Sequence, residues 1–137
     1  MPMSAKKFPA KFDHLDEVRE YVGEKARAAG FGEKDIYSIQ LATDEAASNV
    51  IEHAYEGVSN AFFELTCEFK NDRMIITLLD HGTTFDPSKV DVPDVKADLS
   101  DRKIGGLGIF LMRKLMDEVH YEITSSGNLL TLVKRKA

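Results

Sequence analysis

Residues 43–57, TDEAASNVIEHAYEG, form a helical stretch in which polar residues recur at a regular spacing. Glu45, Asn49 and His53 follow one another at four-residue intervals. Because an α-helix completes a turn in about 3.6 residues, these side chains are expected on successive turns. Such a row is typical of a solvated helix face, and it is also what one wall of a binding cleft requires.

The apolar residues around this row form a stripe on another side of the helix. At about 100° per residue, the stripe contains Ile36, Ile39, Thr43, Ala46, Ala47, Val50 and Ala54. We expect the stripe to face a sheet, which leaves Glu45 and Asn49 on roughly the opposite side. Leu41 and Ala42 lie near the pair, so the pattern is compatible with open solvent and with a roofed cleft. His53 lies between the two sides, where a packing or hydrogen-bonding role is expected.

The surrounding elements predict an α+β fold. The central helix is predicted for residues 33–55, and Asp13 is the expected N-cap of an earlier helix ending at Ala29. The other predicted elements are an extended segment at 7–12, a hairpin of strands 61–70 and 73–80, a third helix from 106 to about 117, and strands 119–124 and 128–134. The predicted architecture is a two-layer sandwich with helices on one face of a mixed sheet.

Length and composition bound the class of protein. The chain has 137 residues and a formal net charge of −5, which predicts one domain (1–137) and argues against direct nucleic-acid binding. No apolar run is long enough to cross a bilayer and no signal-peptide pattern is visible, so a cytoplasmic protein without membrane association is expected. The single cysteine, Cys67, alternates with apolar residues and is expected to be a buried structural thiol.

A carboxylate stands where the second strand of the hairpin ends. In LLDHGTTFDP, Asp80 closes the apolar run and Gly82 permits close approach of the backbone. A carboxylate in this position can accept a hydrogen bond from the exocyclic amine of adenine, which guanine lacks at that position. A plain strand-to-turn aspartate fits the pattern equally well.

A long loop and a glycine cluster follow this strand. Residues 81–106 read HGTTFDPSKVDVPDVKADLSDRKIGG, and loops of this length are commonly lids, binding loops or disordered segments. Gly105, Gly106 and Gly108 precede an apolar helix, whose free N–H groups and dipole suit phosphate. Arg102 just upstream is placed either to neutralise phosphate charge or to be solvated. The spacing matches neither a P-loop nor a Rossmann fingerprint.

The helical pair has chemistry that suits a nucleotide. An asparagine carbonyl can hold Mg²⁺ together with phosphate oxygens and water. A carboxylate one turn away can orient or deprotonate a hydroxyl or water that attacks a γ-phosphate.

Three segments in a fixed order carry a family resemblance. DEAASNVIEHAYEG, DHGTTFDP and RKIGGLGIFLMRKLMDEVHYE resemble the N, G1 and G2 boxes of the GHKL ATPase superfamily, which has the Bergerat fold. The sequences of these segments are most similar to those of the small RsbW/SpoIIAB-type anti-sigma factors, which are serine-protein kinases. The resemblance extends from about residue 8 to the end of the chain.

The resemblance implies a role for each matched residue. Glu45 matches the catalytic glutamate and Asn49 the Mg²⁺ ligand. Asp80 matches the aspartate that reads adenine, with Gly82 packed near the base. The residues implied in the lid, at about 83–106, and in phosphate contacts are Arg102, Gly105, Gly106 and Gly108.

One position departs from the family pattern. Members often have Gly-Thr at the start of the last strand, where the threonine helps to bind adenine, and this chain has Gly127-Asn128. Because asparagine both donates and accepts, we expect adenine binding to survive in an altered geometry. Thr131 lies too far along the strand to take the place of that threonine.

The function implied by the resemblance is that of an anti-sigma factor kinase. Such a protein binds ATP and Mg²⁺, phosphorylates a serine of a STAS-domain anti-sigma-factor antagonist, captures a sigma factor in exchange, and forms a homodimer. A complete sensor histidine kinase is not expected, because only about forty residues precede the N box. Two alternatives stay open: a non-catalytic ATP-binding module that sequesters its partner, and a partner-switching kinase with a target other than a sigma factor.

Overall fold

The computed structural model of the chain describes residues 5–54, 61–81, 106–125 and 127–136. Three α-helices and five β-strands lie within these ranges. In chain order the elements are β1 (Ala5–Pro9), a 3-10 turn (Phe12–His14), α1 (Leu15–Ala28), α2 (Glu33–Asn49), a π-helical turn (Val50–Ala54), β2 (Phe62–Lys70), β3 (Arg73–Asp80), α3 (Gly106–Leu115), β4 (Glu118–Thr124) and β5 (Gly127–Arg135).

The strands form one sheet in the order β1-β2-β3-β5-β4. Every neighbouring pair is antiparallel, so the α+β fold is confirmed while the expectation of a mixed sheet is wrong. The reason is the path of the last hairpin. The chain passes from β3 through α3 to the outer strand β4, and β5 then returns between β4 and β3, which leaves no parallel neighbours.

The turn between β2 and β3 has the predicted hairpin chemistry. Asn71 and Asp72 both have positive φ, at 54° and 59°. Asparagine and aspartate tolerate this region better than most residues, and two such residues suit a type I′ turn, whose twist matches that of the strands.

The helices cover one face of the sheet, and the core lies between the two layers. Along β3 the buried positions alternate with partly exposed ones, and Met74, Ile76, Leu78 and Asp80 are the buried set. The largest fully buried side chains of the described residues are Phe8, Phe63, Ile36, Ile39, Leu65, Met74, Ile76, Leu78, Met112, Leu132, Val18 and Val22. Asp80 therefore points into the helical side of the sheet, in line with apolar core residues.

Two predicted helix boundaries are wrong. Asp13 is not an N-cap, because the chain first makes a 3-10 turn that contains Asp13, and α1 begins at Leu15. The second helix is not α-helical to residue 55, because its regular turns end at Asn49 and a π-helical turn follows. The first strand is also found earlier than expected, at Ala5–Pro9.

Cys67, expected to be buried, is only partly buried, at the margin of the core. Its side chain packs against the core, and burial raises its pKa to about 12, an effect that the charge of Lys25 partly opposes. A thiol with such a pKa is a poor nucleophile at neutral pH. No helix in the described parts of the chain is both long and apolar enough to span a bilayer.

Candidate active site

Glu45 and Asn49 lie on the last turns of α2, and neither is on an open solvent face. Asn49 is only 8% exposed and Glu45 is partly buried. Ala42, which the sequence pattern placed beside them, is fully buried. Because α2 packs against α1 and α3 as well as β5, more than one of its sides is covered. Of the two environments that the pattern allowed, the structure thus shows the enclosed one for Asn49.

Asn49 differs from the other buried polar side chains of the described residues, which are Thr43, Asp80 and Asn128. The Thr43 hydroxyl donates to the carbonyl of Ile39 at 2.7 Å, and Asp80 and Asn128 bond to each other. The Asn49 Nδ2 atom is buried without a hydrogen-bond partner among the described residues.

A buried polar group that stays unsatisfied costs about 1–3 kcal/mol, so the Asn49 amide, which has no partner among the described residues, is a candidate for contact with a ligand. Rotation of the amide by half a turn would present Oδ1 in the place of Nδ2. A hard amide oxygen at that place fits a Mg²⁺ ion that takes its other ligands from phosphate and water. No group of three or more His, Cys, Asp or Glu side chains suited to a metal occurs within the described residues.

A π-helical turn follows Asn49 directly, at Val50–Ala54. Such turns are rare and are frequent at functional sites, because the wider i→i+5 spacing changes the direction of the backbone. His53 lies in this turn, so its backbone is outside the regular α-helical row of Glu45 and Asn49. The packing or hydrogen-bonding role expected of His53 stays a prediction, because its side chain is not among those that the structure describes.

The surroundings of Glu45 favour its protonated form. Burial, and then the negative charges of Asp44 and Glu52, raise the pKa of Glu45 above its ordinary value. A carboxylate that binds a proton more tightly is a stronger base, as a residue that deprotonates a hydroxyl requires.

The contacts around Glu45 are only partly visible in the sequence. Asp44 forms an ion pair with Arg19 of α1, with 3.6 Å between Oδ1 and Nη1, and Arg19 also pairs with Asp16. Gln40 Nε2 donates to the Arg19 carbonyl at 3.0 Å and so ties α1 to α2. Asp44 and Glu52 were visible as acidic neighbours of Glu45, but the Arg19 contact depends on helix packing.

Asp80 and Asn128 face each other across β3 and β5. They are 5% and 4% exposed, and Asn128 Nδ2 donates to Asp80 Oδ1 at 2.9 Å. Thr131 pairs with Thr77 on the other face of the sheet, which agrees with the expectation that it cannot replace the threonine of the family. The residue that departs from the family pattern therefore contacts the residue expected to read adenine.

Three expected site residues, Gly82, Arg102 and Gly105, lie outside the described ranges. The segment expected to form the lid, at about 83–106, lies outside them as well, except for Gly106. Gly106 and Gly108 are in the first turn of α3. In general, the first N–H groups of a helix lack intrahelical partners and, with the helix dipole, suit a phosphate. The structure thus places the α2 pair, the β3–β5 pair and the first turn of α3, without describing the loop between β3 and α3.

Residues 8–134 match the family described as the histidine kinase-like ATPase domain. The chain belongs to this family. It is 35% identical over 130 residues to the serine-protein kinase RsbW of Halalkalibacterium halodurans. The matched region covers 92% of this chain and 78% of that protein. The serine-protein kinase RsbW of Listeria monocytogenes is 33% identical over 117 residues, which are 81% of this chain and 73% of that protein.

Two solved structures share the fold of this chain. The RsbU and RsbW domains of Rv1364c from Mycobacterium tuberculosis match 99% of this chain and 33% of that chain, with a TM-score of 0.68 and 20% identity. The catalytic domain of the histidine kinase ThkA matches 99% of this chain and 97% of that chain, with a TM-score of 0.60 and 17% identity. The family resemblance, its fold and the assignment to the protein-serine kinases are confirmed by these comparisons.

Proposed function

We propose that this chain is an anti-sigma factor and ATP-dependent serine kinase that phosphorylates a STAS-domain antagonist in a partner-switching system. The names of its relatives, serine-protein kinase RsbW, support the kinase activity and the regulatory setting. The observation that carries the proposal for this chain is the pair at the end of α2, a base with a raised pKa one turn before a buried amide that lacks a hydrogen-bond partner among the described residues.

In the proposed reaction each residue of the pair has one task. Glu45 takes the proton of the serine hydroxyl, whose oxygen attacks the γ-phosphorus while the bond to the ADP oxygen breaks. Asn49 holds Mg²⁺ through Oδ1, and the ion when bound neutralises charge on the phosphates.

Asp80 and the first turn of α3 would position the nucleotide. In this proposal, Asp80 accepts a hydrogen bond from the exocyclic amine of adenine, and Gly82 lies near the base. The residues proposed to contact the phosphates and to take part in lid closure are Arg102, Gly105, Gly106 and Gly108. The N–H groups at the start of α3 suit the negative charge of the phosphates.

The test is phosphotransfer to an antagonist. The pure protein is incubated with [γ-³²P]ATP, Mg²⁺ and the STAS-domain antagonist, beside a variant antagonist in which the acceptor serine is alanine. We expect label on the serine-containing antagonist alone, and none when GTP replaces ATP. Tight binding of the antagonist or sigma factor without transfer would instead identify a non-catalytic sequestering module.

We also propose that the protein acts as a cytoplasmic homodimer of single-domain protomers. The feature that supports a dimer is β1, which lies at the edge of the sheet with one side unpaired within the described residues. Edge strands are available for pairing with a second copy. Light scattering coupled to gel filtration would measure the mass, and a monomer at micromolar concentration would contradict the dimer.

A further inference from the structure

The buried pair of Asp80 and Asn128 joins two residues that are 48 positions apart in the chain. The sheet register places them opposite each other at the end of β3 and the start of β5. On the helix-facing side of β3, the pair continues the apolar row of Ile76 and Leu78. A buried carboxylate in such a row needs a donor, and the Asn128 amide supplies one at 2.9 Å.

The direction of this hydrogen bond follows from the chemistry of the two groups. The oxygens of a carboxylate only accept, so the Asn128 contact is made by its NH₂ group and the amide orientation is set. A hydrogen bond to Oδ1 also restricts rotation of the carboxylate about its terminal torsion, which is otherwise broad. Asn128 therefore fixes the plane in which the Asp80 oxygens lie.

Asn128 is itself held in place by the backbone before it. Gly127 has a φ of 136°, and a Cβ at this position would collide with the carbonyl oxygen of Asp80. Only glycine permits this approach of β5 to the end of β3. The Thr124 hydroxyl donates to the Gly127 carbonyl at 2.9 Å, which further restrains the start of β5.

We propose that Asn128 is a positioning residue that orients the Asp80 carboxylate and thereby sets the preference of the site for purines with an exocyclic 6-amino group. The inference rests on the proposed function, in which Asp80 accepts the amine of adenine. Asn128 acts through Asp80, and the expected effect is on base discrimination and not on the phosphate contacts. A residue that only stabilised the sheet would affect all nucleotides alike.

The experiment combines two ligands with three proteins. The affinities of ATP and of purine riboside triphosphate, which lacks the exocyclic amine, are measured by calorimetry for the wild type, Asn128→Leu and Thr131→Val. Because hydrogen bonds to charged groups are strong, the wild type should prefer ATP by about ten-fold or more. Asn128→Leu should lose most of this preference through weaker ATP binding, with the affinity of the analogue unchanged. Thr131→Val, on the other face of β5, should keep the wild-type ratio.

A second variant covers the case in which leucine prevents folding. Asn128→Ala leaves room for water beside the carboxylate, and water solvates Asp80 without fixing its plane, so the ATP preference should again fall. Thermal unfolding without nucleotide establishes that each variant is folded.

The outcomes separate the two ideas. A wild type that binds both triphosphates equally would overturn the role of Asp80 in reading adenine, and this inference with it. A wild type that prefers ATP, with folded variants of Asn128 that keep the preference, would overturn the inference alone. Equal weakening of both ligands in the Asn128 variants would also overturn it, because that result describes general damage to the sheet.

Discussion

Two glutamates of this protein, Glu45 and Glu118, are both partly exposed but have opposite surroundings. Glu118 lies on the face of the sheet away from the helices, since its neighbour Val119 packs against the core. His120 Nε2 is 2.8 Å from Oε1 of Glu118, and Arg135 and Arg73 lie 3.6 and 3.7 Å from Oε2. The hydrogen bond with His120 and then the nearby positive charges hold the pKa of Glu118 below its ordinary value.

Glu45 has acidic neighbours where Glu118 has basic ones. Its pKa is raised by burial and by Asp44 and Glu52, and the arginine that contacts Asp44, Arg19, is shared with Asp16. Glu118 is thus stabilised as an anion, whereas the surroundings of Glu45 favour its protonated form, as the proposed general base requires. Burial raises the pKa of Glu45 most and its acidic neighbours add to the effect, whereas the His120 contact and the arginines lower the pKa of Glu118.

The difference between Glu45 and Glu118 is tested most directly by replacing each glutamate in turn with the neutral glutamine. Glu45→Gln should lower the rate of serine phosphorylation by about 10²–10⁴-fold, because it removes the general base. Glu118→Gln is the matched control and should keep the wild-type rate. Single-turnover transfer from [γ-³²P]ATP to the antagonist measures both, and similar rates for the two variants would remove the base role of Glu45.

A second test concerns Asn49, the residue one turn after Glu45, whose buried amide has no hydrogen-bond partner among the described residues. In the wild type, ATP with Mg²⁺ at about a hundred times its dissociation constant should stabilise the fold by about 2.7 kcal/mol. Asn49→Ala should lose this stabilisation, and removal of Mg²⁺ by EDTA should weaken it in the wild type. Thermal unfolding with and without nucleotide gives the values; an unchanged ligand effect in Asn49→Ala would contradict metal binding by this side chain.

In the absence of ligand, we expect ionised Glu45 to lower the free energy of unfolding. Its raised pKa means that the ionised form destabilises the native state, so Glu45→Gln should slightly increase the free energy of unfolding at pH 7, by an amount reduced by solvent screening of this partly exposed group. The gain should vanish as pH falls below the ordinary glutamate pKa of 4.5, where the wild-type side chain is protonated in both states. Urea denaturation at several pH values measures this, and a loss of stability at pH 7 would contradict it.

The smallest effect is expected at Glu118, and it has the opposite sign. A lowered pKa contributes stability above pH 4.5 that is lost as the pH falls through the native value. Glu118→Gln should therefore lower the melting temperature slightly at pH 7, and the difference should vanish in acid. If Glu118→Gln raised the melting temperature instead, the His120 and arginine contacts would not stabilise this carboxylate.

Local patterns were sufficient to predict most elements of the fold. Alternation along β2 and β3, the Asn71-Asp72 turn and the apolar stripe of α2 each depend on neighbours close in sequence, and the structure confirms them. The sheet was predicted less well, because whether β4 or β5 lies beside β3 depends on the path of a distant hairpin. The 3-10 turn before α1 and the π-helical turn after Asn49 are local deviations that a regular period cannot reveal.

The candidate site was predicted in its residues but not in its environment. The helical wheel left Asn49 facing either solvent or a cleft, because a wheel describes one helix and cannot say that α3 packs beside it. The same limit applies to Arg19 and Asp44, which meet only because α1 and α2 are packed together. The raised pKa of Glu45 follows from such surroundings and could not be read from the spacing of Glu45 and Asn49.

By itself the sequence determined the family, the type of most elements and the identity of the candidate residues, since these depend on short motifs and on periods of two and 3.6 residues. Only the tertiary structure decided that Asn49 is enclosed, that Asp44 pairs with Arg19, and that Asn128 bonds to Asp80. Burial and charge depend on which distant segments pack together. Such contacts, like that between Asp80 and Asn128, which are 48 positions apart, are set by the sheet register and not by any local pattern.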